Sequence, residues 1–124
     1  MKNLVFLFLS VSLGLATLVG CNRNSGPPPA LPAEQIAAEF NKAFAKAPQV
    51  AKELAAGVTS SLEKKDYAGA YQAVQVLMGV PELTKEQQLT ASRAMLTITG
   101  LTQAAGAAGD KNAAAALKSL RESR

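Results

Sequence analysis

Ser61-Leu62-Glu63-Lys64 is the stretch in which a hydroxyl nucleophile and an amine stand close enough for the amine to take the hydroxyl proton. Three residues apart on a helix, both side chains share a face. The pattern fixes only two positions, however, and the Ser-Asp-Asn and Lys-Thr-Gly elements that complete such sites are missing from the chain. Lys64 and Lys65 read better as cations near the negative C-terminal end of a helix. Glu63 with Asp66, and Glu82 with Glu86, are the nearest paired carboxylates, and the neighbouring Lys64, Lys65 and Lys85 favour a solvated surface. The chain has no His and one Cys, so zinc and redox metals lack their usual ligands. Gly106-Ala107-Ala108-Gly109 has no Lys-Ser/Thr after it and is no phosphate loop. The expectation is a protein that is not an enzyme, with no cofactor and no metal site.

The single cysteine, Cys21, has its own context. Met1-Lys2-Asn3 supplies one positive charge, and Leu4 to Val19 is almost wholly apolar, broken only by Ser10, Ser12, Gly14 and Thr17. This is the layout of a secretory signal peptide. The apolar run is shorter than the roughly 20 residues a membrane-crossing helix needs, and it ends in small residues rather than a basic cluster. Leu18-Val19-Gly20-Cys21 then resembles the lipobox of bacterial lipoproteins. That resemblance implies that the Cys21 thiol receives a diacylglyceryl group, that residues 1–20 are removed, and that the new amine is open to acylation. Two or three acyl chains hold a protein stably to a bilayer where one does so marginally. Asn22 stands where Asp would favour inner-membrane retention, so the resemblance implies the outer membrane, with the protein facing the periplasm.

Cleavage removes Lys2, one of the 13 basic residues, against the same 9 acidic ones, leaving a net charge of +3. The charges are interspersed, with no basic stripe carrying aromatics between them, so nucleic acid is not an expected partner. Residues 21–32, the lipidated cysteine and the Pro-rich run Gly26-Pro27-Pro28-Pro29-Ala30-Leu31-Pro32, read as a tether that cannot be helix. Residues 33–124 read as one small helical domain. It is rich in Ala and has no Trp, so its core is expected to be thin.

Four-residue spacings mark the helices. Ile36, Phe40, Phe44 and Ala47 form a first stripe, with Glu34 and Glu39 early and Lys42 and Lys46 late, as the helix dipole favours. Pro48 ends that helix or begins the next, where Val50, Leu54, Val58 and Leu62 recur. After the polar break Glu63-Lys64-Lys65-Asp66, the third stripe is Tyr67, Ala70, Tyr71, Val74, Leu77 and Met78, with Ala68 expected in solvent. Thr84 and Gln87 form a capping-box pattern, followed by Leu89, Ser92, Leu96 and Thr99 with Met95, Ile98 and Leu101 beside them. That helix is expected to fray over Ala104 to Gly109, and Asp110 to cap a last one carrying Ala113, Ala114, Leu117 and Leu120. No strand pattern follows residue 32, and the expected fold class is all-α.

Lys65-Asp66-Tyr67-Ala68-Gly69-Ala70-Tyr71 looks like the start of the second helix of a tetratricopeptide repeat, and a fainter echo runs through Ile98, Leu101, Gly109-Asp110 and Ala114. The spacing from Asp66 to Asp110 is 44 residues, against 34 in that family. The resemblance implies small antiparallel helical hairpins, stacked as in that family, beside the alternative of an up-and-down bundle. Together these features point to a membrane-anchored, non-enzymatic interaction or assembly module with an envelope protein as partner. The alternative is a small ligand-binding or lipid-contacting bundle, with Phe40, Phe44, Tyr67 and Tyr71 lining a cavity.

Overall fold

The computed structural model describes residues 28–124, and the signal segment and lipobox lie outside them. A 3-10 turn at Ala33–Gln35 leads into α1 (Ile36–Ala43), followed by α2 (Gln49–Glu63), α3 (Tyr67–Met78), α4 (Lys85–Ala107) and α5 (Lys111–Glu122). The described residues contain no strand, and the fold is all-α.

Two of the four corners between helices are built the same way, and both are legible in their residues. After α2, Lys65 takes a left-handed φ of 56°. Its amide donates to the Leu62 carbonyl (3.0 Å), and the Asp66 amide donates to the Ser61 carbonyl (2.8 Å). After α4, Gly109 takes φ 104°, with the Gly109 amide on the Gly106 carbonyl (3.2 Å) and the Asp110 amide on the Ala105 carbonyl (3.0 Å). Each is a Schellman ending, which satisfies the orphan carbonyls at a helix terminus. In each, the aspartate then caps the next helix: Asp66 accepts from the Gly69 amide, and Asp110 from those of Asn112 and Ala113. The echo 44 residues apart is therefore one corner used twice.

Packing decides between the two arrangements. α1 lies against α2 and α4, α2 against α3, and α3 against α4, while neither diagonal pair, α1 with α3 or α2 with α4, comes close. Four helices thus close a ring, and α5 lies on α3 and α4. In a stack of hairpins α4 would have to lie over α2 as well as α3, so the packing is that of a small bundle. α4 runs antiparallel to α1. The Gln87 side chain, at the start of α4, donates to the Ala43 carbonyl at the end of α1 (3.1 Å), whereas Arg93 and Thr97 reach residues that precede α1.

The apolar stripes hold in α1 and, through Ala70, Tyr71, Val74 and Leu77, in most of α3, and shift in the other helices. Ile36, Phe40, Phe44 and Ala47 are all buried, the two phenyl rings tilted by 56° with centroids 5.3 Å apart. In α2 the buried residues are Ala51, Ala55 and Val58; Val50 is 59% exposed, and Leu54 and Leu62 are only half-buried. A strict period of four drifts by about 40° per step on a helix of 3.6 residues per turn, so it cannot stay on one face for long. In α3, Ala68 is buried rather than solvent-facing and Met78 is exposed. α3 meets three helices, so its buried arc is wider than one stripe. In α4 the expected stripe points outward, with Leu89 and Leu96 about half exposed; the buried face is Gln87, Thr90, Ala91, Ala94, Ile98 and Thr102. Nor does that helix fray at Ala104, since it runs to Ala107. In α5 Ala113 and Ala116 are buried, and Ala114 is exposed.

Candidate functional site

Cys21, the expected lipidation site, lies outside the described residues. The nearest feature of the body to it along the chain is the root of the tether, and here the structure departs from a free linker ending at Pro32. Leu31 is buried to 3% exposure in the main core. Its amide donates to the Arg93 carbonyl (3.2 Å), and its carbonyl accepts from the Thr97 hydroxyl. The Arg93 guanidinium donates through Nε to the Pro29 carbonyl (2.8 Å). A segment rich in proline has few amides of its own to satisfy, and its exposed carbonyls suit a guanidinium fork. Residues 29–31 are thereby fastened along α4 beside the start of α1.

The residues considered for catalysis are placed apart from this root. Ser61 sits in the last turn of α2 and is half-buried, Lys64 is its exposed C-cap, and the Ser61 carbonyl is engaged by the Asp66 amide. Asp66 is committed to its cap, and Glu63 and Asp66 are both exposed, not set in an apolar surround. Glu82 and Glu86 are both exposed around the turn into α4. Among the described residues no group of three or more His, Cys, Asp or Glu is arranged to hold a metal ion.

Among the described residues, neither of two surface grooves brings the four aromatics together. Phe40 and Phe44 fill the core and border a shallow groove of about 210 Å³ between α1 and α2, with Asn41, Ala45, Lys52, Ala55 and Ala56. Tyr71 is buried, its hydroxyl accepting from Gln75 Nε2 (3.2 Å), and Tyr67 is half-buried, its carbonyl accepting from the Thr102 hydroxyl (3.3 Å). A second groove, of about 360 Å³, runs along α4 and α5 between Gln103, Gly106, Ala107, Ala114, Leu117, Lys118 and Arg121. Neither tyrosine reaches it.

Sequence reasoning missed Leu31, Arg93, Thr97 and Gln87 as a connected seam. Leu31 carried a signal, as a lone large hydrophobe among prolines. Gln87 carried half of one: its capping role was visible, but its second bond, to Ala43, spans 44 residues. Leu89 and Leu96 were visible as a stripe and assigned to the wrong side.

Among the described residues no helix is long and apolar enough to cross a membrane. Comparison of the chain with protein-family models, with characterised proteins and with solved structures gave no match.

Proposed function

We propose that this chain is a bacterial lipoprotein, acylated at Cys21, whose helical body serves as a non-enzymatic contact module for another protein of the cell envelope. The observation that carries the reading is Leu18-Val19-Gly20-Cys21 at the end of a short apolar run that begins with a charge. Acylation accounts for a single cysteine with no partner for a disulfide, and Asn22 supports the outer membrane with the body in the periplasm. The closed helical ring, with its surface of short-looped corners, supports a scaffold that presents faces rather than encloses a substrate. Crosslinking in intact envelopes, followed by mass spectrometry of the captured complexes, tests it. Reproducible recovery of one protein, linked through residues of the bundle, is the expected result. Lipid co-purifying with the chain and no protein partner would overturn it.

A further inference from the structure

The outer face of α4 carries Lys85, Leu89, Arg93, Leu96 and Gly100, residues that recur at three- and four-residue steps opposite the buried Ala91, Ala94 and Ile98. Leu89 and Leu96 are 47% and 50% exposed. Two large apolar side chains one above the other, with a cation between them and another at one end, form a pattern suited to the boundary between headgroups and acyl chains. Glu86 is the one acidic residue of α4, in the first turn of the helix, where it complements the dipole.

The same face is where the tether begins, because Arg93 holds Pro29. Seven residues separate Cys21 from Pro29. At about 3.1 Å per residue, the eight steps from Cys21 to Pro29 would span about 25 Å, close to the width of two packed helices at about 10 Å each. Turning α2 toward the bilayer would oblige the tether to run around the body, whereas α4 faces the bilayer with tether to spare. A short tether also holds α4 at high effective concentration above the surface, so weak individual contacts suffice. Anionic headgroups complement Lys85 and Arg93.

We propose that the outer face of α4 lies on the anionic bilayer to which Cys21 fastens the chain, with Leu89 and Leu96 at the acyl boundary. This rests on the reading of Cys21 as acylated. It also orients the body: α2, diagonal to α4 in the ring, is turned away from the membrane and toward any partner.

The test uses the full, membrane-extracted chain in vesicles of phosphatidylethanolamine and phosphatidylglycerol. An acylated Cys21 sulfur is a thioether, so Leu89→Cys, Leu96→Cys and, on the outer face of α2, Glu53→Cys each offer one thiol for a fluorescent label. All three positions are exposed, so the substitutions do not threaten folding. A quencher dissolved in the acyl chains is expected to quench the two α4 labels several-fold more than the α2 label, and less so in vesicles of phosphatidylcholine alone. Equal quenching at the three positions, in protein whose intact mass shows acylated Cys21, would overturn the α4 contact and leave the anchor standing. Self-quenching between α4 labels without lipid quenching would assign the face to a second copy and likewise overturn it. A chain that leaves the vesicles with an unmodified Cys21 would overturn the anchor and the orientation together.

Discussion

Asp66 and Lys65 carry one corner of the molecule between them, and they pull in opposite energetic directions. Asp66 accepts from the Gly69 amide at 2.9 Å, and replacing an N-cap aspartate by alanine costs about 1 kcal/mol. Asp66→Ala is therefore expected to lower the unfolding free energy measured in urea by that amount, while Asp66→Asn, which keeps the acceptor, is expected to restore most of it. Lys65 occupies the left-handed region that strains a side-chain-bearing residue. Gly109 fills the matching place in the other corner at no such cost. Lys65→Gly is expected to stabilise the protein, by about 0.5 kcal/mol once the greater freedom of glycine in the unfolded chain is subtracted; destabilisation by Lys65→Gly would mean that the lysine side chain contributes a contact the corner needs. Ala70 has no exposed surface, and enlarging a residue in a tight contact costs about 1 to 3 kcal/mol. Thermal unfolding should show Ala70→Leu well below the unaltered protein and Gln72→Leu, on the exposed side of α3, close to it. Ala68, expected in solvent from the sequence, cannot serve as the exposed control, because it too is buried.

Helix boundaries were legible because they are local. Pro48 cannot continue α1, Thr84 and Gln87 form both bonds of a capping box, and Asp66 and Asp110 cap the helices that follow them. Helix faces were less legible, for a physical reason specific to this composition. Large hydrophobes are poor guides to the interior when alanine is abundant, because an exposed leucine is common in proteins, and small residues let helices come close enough to bury themselves. α4 shows this most clearly: Ala91 and Ala94 are fully buried while Leu89 and Leu96 face outward. Its buried face is also polar in part, and that polarity is satisfied. Gln87 accepts from the Thr84 amide and donates to the Ala43 carbonyl, and the Thr102 hydroxyl donates to the Ile98 carbonyl at 2.7 Å. Gln87→Ala removes the side chain that ties α4 to α1 and leaves the Thr84 amide and the Ala43 carbonyl to find other partners, at an expected cost of about 1 to 3 kcal/mol. Hydrogen exchange would show the amides at the start of α4 losing protection most; uniform loss across the bundle would place the role of Gln87 elsewhere.

At the scale of the molecule, a ring of four helices with a fifth laid on α3 and α4 gives a thin core, and residues upstream of the helices contribute to it. A chain shortened to begin at Ala33 loses the burial of Leu31 and the bonds from Arg93 and Thr97. Burying one leucine is worth about 1.5 to 3 kcal/mol, so this chain should unfold several degrees below one beginning at Pro28. Equal midpoints would mean that residues 29–31 are not held in solution. The body is thus attached to its tether at a defined place on α4, and the consequence matters only if the other end of the tether is in a membrane. The all-helical class could be read from the sequence, with the bundle as one of two arrangements, whereas the choice between them and the docked root could not, because both depend on contacts between residues far apart in the chain. Cys21, the residue on which the functional reading turns, stands in its sequence context alone. Intact-mass measurement of the protein extracted from membranes tests that reading most directly. A chain beginning at Cys21 and heavier by a diacylglyceryl group, with or without an acyl group on its amine, is the expected result; a chain that keeps Met1, or carries an unmodified Cys21 thiol, would contradict it.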